Sequence, residues 1–170
     1  MTEIQLLRAE HAPALLAFER TNRSWFAASV PDRGDAYFAD FDRRHAELLA
    51  GQAAGRDRLH LIVAADGEVL GRVNLIDIAD GSAELGFRVA RGAAGRGLAT
   101  SAVRQVLVLA AEGYGLRSLR AAATVDNLGS RTVLVRNGFL PAGETVLDGR
   151  AAVRYERDLT ALAPTRPTHP

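Results

Sequence analysis

The stretch Glu84-Leu-Gly-Phe-Arg-Val-Ala-Arg-Gly-Ala-Ala-Gly-Arg-Gly-Leu-Ala-Thr100 indicates how the centre of this chain folds. Apolar side chains alternate up to Val89, which predicts a half-buried strand, and after Gly97 they recur at helical spacing. Gly92, Gly95 and Gly97 lie between the two patterns. Glycines let a backbone approach an anion closely, and the first amides of a helix have no partner inside that helix. The stretch therefore predicts a pyrophosphate site where a strand leads through a loop into a helix.

Two other phosphate-binding loops fit this stretch less well. The glycines follow G-x-x-G-x-G rather than the G-x-G-x-x-G of dinucleotide-binding folds, and no acidic residue ends a second parallel strand. A Walker loop requires lysine, whereas all 21 basic residues of the chain are arginine. A glycine-rich loop without a ligand stays open as an alternative. Arg91 and Arg96 place cationic donors beside the glycines.

The composition fits a single globular domain and excludes several kinds of chemistry. A chain of 170 residues, 48% of them apolar, is long enough to bury a sizeable core. The net charge of +1 gives no indication of nucleic-acid or anionic-membrane binding. The absence of cysteine and lysine excludes a cysteine nucleophile, a thiolate metal site and a Schiff base. The four histidines are scattered singly, so no metal site is expected.

Neither end of the chain carries a targeting pattern. Residues 1–7 lack a basic run followed by an apolar segment, and no apolar run approaches the ~20 residues of a membrane span. We expect a cytoplasmic protein without a membrane partner, which the lack of cysteine fits. Residues 161–170 contain three prolines and are predicted to be a disordered tail.

Periodicity along the rest of the chain predicts an α/β fold of the α+β kind, in one domain over residues 1–160. Residues 21–34 are predicted to be a loop, and Asp35 to cap a helix. We expect a mixed, mostly antiparallel sheet of about seven strands with helices on both faces. In chain order, the predicted elements are strand 4–7, helices 11–18 and 35–50, strands 59–65, 68–78 and 82–89, helix 98–112, strand 119–125, helix 127–136, and strands 139–146 and 152–159.

Two motifs carry a resemblance to a known family. The glycine stretch resembles the Gln/Arg-x-x-Gly-x-Gly/Ala motif of GNAT acetyltransferases: Gly97 and Ala99 match the small positions, while Ala94 stands where Gln or Arg is usual. About 30 residues later, Asn127-Leu-Gly-Ser130 followed by Gly138-Phe139 is similar to the Asn-x-x-Ser…Gly-Phe signature that closes the family's acetyl-CoA site.

The resemblance implies a cofactor and a place for it. In this family, the strands that correspond to residues 82–89 and 119–125 splay apart, and the pantetheine arm of acetyl-CoA lies between them like an added strand. Backbone groups around Phe87 and Val89 then hold the arm and polarise the thioester carbonyl. The residues expected to bind acetyl-CoA are Phe87, Arg88, Val89, Ala94, Gly95, Arg96, Gly97, Leu98, Ala99, Thr100, Asn127 and Ser130.

The resemblance also implies direct attack of an amine on the thioester, with no covalent enzyme intermediate. Ser130 matches the family serine near the sulfur, so we expect it to act as the acid or the sulfur anchor; alternatively it only fills the first turn of a helix. Asn127 is expected to contact the pantetheine and to cap that helix. Glu84 is the candidate base, and the alternative is a solvated or arginine-paired carboxylate. Glu144, after the Gly-Phe pair, is a second candidate base.

The acceptor amine is the least determined part of this prediction. Asn22-Arg-Ser-Trp25 resembles a segment of the GNAT branch that acetylates the N-termini of ribosomal proteins. We therefore expect a protein α-amino group, bound between residues 21–34 and the turn at residues 146–150. A small amine such as a polyamine, amino acid or antibiotic stays an alternative, as does a CoA-binding protein without activity. A homodimer is kept open.

Five further side chains have two possible roles. Trp25 and Phe26 are expected either to wall the acceptor cleft or to pack in the core. Tyr155, on the last predicted strand, either reaches the sulfur or packs. Arg131 and Arg136 flank the second motif, where they either meet CoA phosphates or form a charged helix surface.

Overall fold

The structure, a computed structural model, describes residues 1–162 and contains one seven-stranded sheet. The strand order is β1-β2-β3-β4-β5-β7-β6, and every neighbouring pair is antiparallel except β4 and β5. The predicted fold class, with its mixed and mostly antiparallel sheet, is confirmed. The strands are β1 Thr2–Leu6, β2 Arg58–Ala64, β3 Val69–Ala79, β4 Ser82–Val89, β5 Ser118–Thr124, β6 Leu140–Leu147 and β7 Arg150–Asp158.

Six α-helices accompany the sheet within residues 1–162. They are α1 Ala12–Thr21, α2 Arg23–Ala27, α3 Asp35–Ala39, α4 Phe41–Ala53, α5 Leu98–Val108 and α6 Leu128–Arg136. The last turn after α5, Leu109–Gly113, is π-helical.

The segment between residues 21 and 53 differs from its prediction in two ways. Residues 21–34 are not a plain loop, because α2 forms there and buries Phe26 against Phe18, with ring centroids 5.3 Å apart. The single helix predicted over residues 35–50 is two helices, because the backbone of Asp40 leaves the helical region at φ −112° and ψ 23°. The N-cap position of α3 is Gly34 rather than Asp35.

Apolar side chains pack on both faces of the sheet, and β2 shows the alternation that separates them. Leu59, Leu61 and Val63 face a cluster built with α1 to α4, whereas Ile62 faces a cluster built with α5 and α6. A strand turns successive side chains to opposite faces, so one strand serves both clusters. The predicted placement of helices on both faces is confirmed.

The central strands β4 and β5 pair over only three residues. Their register runs from Ser82 opposite Ser118 to Glu84 opposite Arg120 and then stops. Beyond that point β4 stays paired with β3 up to Val89, and β5 stays paired with β7 up to Thr124. Each strand is therefore held by its outer neighbour, and the gap between them is a fixed feature of the sheet.

The end of the described chain continues past the predicted domain boundary. Thr160–Leu162 forms a 3₁₀ turn, and Leu162 packs against the cluster beneath α5. Residues 163–170, which make up most of the predicted tail, lie outside the described residues. Within residues 1–162, no helix is long and apolar enough to cross a membrane.

Candidate active site

A cavity of about 500 Å³ occupies the gap between β4 and β5. Its walls are the diverging strands, the glycine loop with the first turn of α5, the first turn of α6, the segment from Trp25 to Pro31, and the β6–β7 turn. On β5 the wall is the run Ala121-Ala-Ala123. These small side chains leave room that larger residues would fill.

Main-chain groups of both strands point into the gap. The Ala90 amide donates to the Leu70 carbonyl on β3, so alternation turns the amides and carbonyls of Phe87 and Val89 toward β5. Likewise, the Val125 amide donates to the Ala151 carbonyl on β7, so the main chain of Ala122 and Thr124 faces β4. An extended ligand with amide groups can bond to both edges as an added strand does.

The glycine loop presents a set of unpaired amides at one end of the cavity. Gly95 and Gly97 have φ angles of 75° and 76°, a left-handed conformation that other residues adopt at a cost. Within residues 1–162, the amides of residues 95–100 have no hydrogen-bond acceptor. Because Gly97 is the N-cap of α5, these amides lie at the positive end of the helix dipole. The arrangement suits a pyrophosphate.

The predicted cofactor residues in this loop divide into two groups. Ala94, Gly95 and Ala99 line the cavity. Arg96, Gly97, Leu98 and Thr100 do not, and the Leu98 side chain packs between the two apolar clusters. Any contact of Leu98 or Thr100 with an anion in the cavity therefore goes through the main chain.

The first turn of α6 brings Asn127 and Ser130 to the cavity wall. The Asn127 side-chain oxygen accepts a hydrogen bond from the Ser130 amide at 3.2 Å, which is the predicted N-cap. Both residues line the cavity. The Ser130 hydroxyl has no hydrogen-bond partner within residues 1–162, so it is available to a bound group.

The two predicted bases lie outside the cavity wall. Glu84 is half-buried at the last position where β4 pairs with β5, and Glu144 is exposed on β6. Asp148, in the β6–β7 turn, is the one carboxylate among residues 1–162 that lines the cavity. The sequence predicts a turn at residues 146–150 beside the acceptor without singling out Asp148, and the left-handed φ of 49° at Asp148 agrees with a turn there.

Tyr155 and Arg131 form part of the packing beneath the site. Tyr155 is 1% exposed, and its hydroxyl accepts a hydrogen bond from Arg131 Nε at 3.1 Å. Arg131 Nη1 also donates to the Val125 carbonyl at 2.8 Å. The packing role of Tyr155 is confirmed, and Arg131 ties α6 to the end of β5. Arg136 is exposed at the end of α6.

The far end of the cavity is bordered by the two segments expected to hold the acceptor. Trp25, Phe26 and Pro31 line it from α2 and the chain after it, and Asp148 and Arg150 line it from the β6–β7 turn. Trp25 is 41% exposed, whereas Phe26 is buried. Phe26 therefore packs in the core and also forms part of the cavity wall.

A buried charge cluster that the sequence did not indicate stands behind this wall. The Glu19 carboxylate is 2% exposed and accepts hydrogen bonds at 2.8 Å from Arg72 Nη1 and from Arg88 Nη2. Arg33 Nε lies 3.7 Å from the same carboxylate. Burial lowers the pKa of Arg88 to about 10 against the opposing effect of Glu19, so Arg88 stays cationic at neutral pH.

Arg88 differs from the role predicted by the resemblance. It lines the cavity, but its main chain belongs to the set bonded to β3. Its side chain leaves on the face opposite the α5 cluster, where its guanidinium lies 4.2 Å from the centroid of the Phe26 ring. The side chain thus belongs to the end of the cavity away from the glycine loop.

The acetyltransferase (GNAT) domain family matches residues 3–140 of the chain. A putative ribosomal N-acetyltransferase, YdaF, of Bacillus subtilis (strain 168) is 31% identical over 132 residues, which cover 74% of this chain and 68% of that protein.

Two solved structures show a similar fold. The ribosomal-protein-S5-alanine acetyltransferase of Vibrio fischeri has a TM-score of 0.88 at 18% identity, over 96% of both chains. The spermidine N-acetyltransferase of Vibrio cholerae, in complex with CoA and spermine, has a TM-score of 0.76 at 18% identity, over 95% of this chain and 97% of that one. The family match spans most of the chain and includes both motifs up to Phe139. The chain belongs to the GNAT family and is an acetyl-CoA-dependent N-acyltransferase.

Proposed function

We propose that the protein transfers the acetyl group of acetyl-CoA to the α-amino group of a protein N-terminus. One observation carries this proposal: a single cavity runs from the amides at the start of α5, through the gap between β4 and β5, to the Trp25 and Asp148 end. A cofactor bound by its pyrophosphate at the first end presents its thioester in the gap. The acceptor amine then enters from the second end.

The reaction needs one bond made and one broken. The neutral amine attacks the thioester carbonyl carbon, a C–N bond forms, and the C–S bond breaks with its electrons on sulfur. The amides of Phe87 and Val89 face the gap and can donate to the carbonyl oxygen as negative charge develops there. Ser130 can stabilise the departing thiolate by donating a hydrogen bond to the sulfur, because its hydroxyl is on the wall and unpartnered within residues 1–162.

The amine proton leaves toward a carboxylate. Glu84, the predicted base, lies outside the wall, so it can accept this proton only through bridging water. Asp148 lies on the wall itself. An α-amino group has a reference pKa of about 7.7–8.0, against about 10.4 for a lysine side chain, so part of it is neutral near pH 7.5 without help. This modest demand fits a site with a single carboxylate on its wall.

The same feature counts against a polyamine acceptor. A polyamine carries several ammonium groups, which require several carboxylates along a cleft. Asp148 is the sole carboxylate on the cavity wall within residues 1–162, and Arg88 and Arg150 lie on the same wall. The spermidine enzyme named above shares the fold, which does not by itself transfer its substrate to this chain.

The test measures CoA release with acetyl-CoA and a panel of N-terminal peptides, polyamines and amino acids. The protein has no cysteine, so a thiol reagent detects released CoA without a background from the enzyme. Peptides blocked by N-terminal acetylation are the control. We expect turnover with free N-terminal peptides and none with blocked ones. Faster turnover of spermidine than of any peptide would transfer the assignment to small amines, and release from no acceptor would refute the proposal.

A further inference from the structure

The charge cluster around Glu19 carries more positive than negative charge. Three guanidinium groups, those of Arg33, Arg72 and Arg88, converge on one carboxylate. The side chains of Arg72 and Glu19 are 5% and 2% exposed, so water screens them little. Arg72 Nε is buried without a partner within residues 1–162. The single carboxylate of Glu19 therefore does not neutralise the three guanidinium groups around it.

Arg88 is the member of the cluster that reaches the cavity. Its side chain is 19% exposed, and it lines both the main cavity and a smaller hollow beside α2. Only Nη2 donates to Glu19; within residues 1–162, Nε and Nη1 have no acceptor. The guanidinium is held on one side by Glu19 and on one face by the Phe26 ring. It is therefore fixed in place with free donors, which is how arginine recognises a carboxylate.

Two other cations near this end already have carboxylate partners. Arg150 forms an ion pair with Asp126, and Arg23 forms ion pairs with Asp32 and Asp35. Asp148 remains on the wall to attract an ammonium group. The end of the cavity thus offers one negative and one incompletely matched positive group to an acceptor.

We propose that Arg88 selects acceptors that carry a carboxylate close to their amino group, namely protein N-termini with Asp or Glu at the second or third position. The inference rests on the proposed function and narrows its substrate class. The acceptor's ammonium group approaches Asp148 and the thioester, while its side-chain carboxylate accepts hydrogen bonds from Arg88. Both charged groups of the acceptor are thereby paired with a side chain of opposite charge.

The kinetic test compares peptides that differ in one residue. Peptides with a free N-terminal Ala carry Asp, Asn or Lys at the second position, and a second set carries them at the third. For the wild-type protein we expect kcat/KM to be about tenfold or more higher for Asp than for Asn in at least one set, and lowest for Lys, because a charged hydrogen bond is gained. A ratio near one in both sets, or a preference for Lys, overturns the proposal.

Variants assign the preference to Arg88. Arg88→Gln should bring the Asp-to-Asn ratio close to one, and Arg88→Lys should keep part of it, because the charge remains without the planar guanidinium. Arg20→Gln removes the same charge from an exposed position on α1 and should leave the ratio unchanged. A full preference in a folded Arg88→Gln protein contradicts the assignment. If Arg88→Gln does not fold, the wild-type ratio and the Arg88→Lys ratio still decide.

A binding measurement separates this inference from the proposed function. Trp25 is the single tryptophan of the chain and lines the acceptor end, so its fluorescence reports peptide binding to the CoA-saturated protein. We expect the Asp peptide to bind about tenfold more tightly than the Asn peptide, and Arg88→Gln to abolish the difference. Selective binding without acetylation would leave Arg88 as the anchor and refute the proposed function. Acetylation with equal binding and equal kcat/KM would do the reverse.

Discussion

The indole Nε1 of Trp25 donates a hydrogen bond to the main-chain carbonyl of Val89 over 3.3 Å. The bond joins the acceptor wall to the last residue of β4, at the edge of the gap proposed for the cofactor. We expect CoA to change the fluorescence of Trp25 in a saturable way, because filling the gap alters the surroundings of the indole. CoA retained by the protein in equilibrium dialysis, with no change in emission, would place the cofactor elsewhere.

The anion site at the start of α5 can be tested without weakening the helix. Ala99→Asp adds a carboxylate to the first turn, where it favours the helix dipole but repels a pyrophosphate. We expect the Kd for CoA to rise by about tenfold or more while the thermal midpoint holds or rises. Gln105→Glu, exposed on α5 further from the loop, is the matched control and should change the Kd little. Equal CoA affinity in Ala99→Asp and the wild type would show that the pyrophosphate binds elsewhere.

Ser130→Ala should affect turnover more than binding. The N-cap bond of α6 uses the Ser130 amide, which alanine keeps, so the substitution removes the hydroxyl alone. We expect kcat to fall by about tenfold or more, at saturating substrates, with the Kd for CoA within about twofold of the wild type. Ser101→Ala, an exposed serine on α5, is the control for loss of a hydroxyl. A full-rate Ser130→Ala protein would remove Ser130 from the mechanism and leave the cofactor site intact.

The sequence predicts the helices and strands that are determined by local residue patterns. Alternation in residues 82–89 and helical spacing after Gly97 give β4 and α5, and the Asn127 cap gives the start of α6. Helix α2 was not predicted, because it is stabilised by the packing of Phe26 on Phe18. This is a tertiary contact, which local helix propensity does not reflect.

The charge cluster around Glu19 was not predicted, for a related reason. Glu19 is 53 residues from Arg72 and 69 residues from Arg88 in the chain, so no motif relates them. The turn at residues 146–150 is predicted to border the acceptor, but its carboxylate is not singled out, because only the pairing of β6 with β7, and of β7 with β5, brings Asp148 to the cavity. The run Ala121-Ala-Ala123 could have predicted the cavity between β4 and β5, because a strand of small side chains leaves space for a ligand.

His60 makes the stability of the fold depend on pH. It is 1% exposed, its Nδ1 lies 3.1 Å from the Val73 carbonyl, and its Nε2 lies 2.6 Å from the Tyr114 hydroxyl. A carbonyl only accepts, so Nδ1 carries the proton and Nε2 accepts from Tyr114. Burial lowers the pKa of His60 below its ordinary value, so the unfolded chain binds this proton more readily than the folded one.

The free energy of unfolding should therefore fall as the pH drops below about 6.5, where the unfolded chain begins to take up the proton. We expect His60→Leu to reduce the slope of unfolding free energy against pH between pH 7 and 5, by at most about 1.4 kcal/mol per pH unit. Some slope should remain, because burial also lowers the pKa of His11. Urea unfolding at both pH values measures this, and identical slopes in the two proteins would contradict the neutral His60.

The most direct test of the central claim locates the acetyl group on a peptide that offers two amines. The peptide begins with a free Ala, carries Asp at the second position and contains one lysine further along. After incubation with the protein and acetyl-CoA, fragmentation mass spectrometry assigns the acetyl group to one nitrogen. We predict the group on the α-amine of Ala, because that amine is partly neutral and the cavity end is open to a chain terminus. Acetylation of the lysine side chain, with the α-amine left free, would contradict the account.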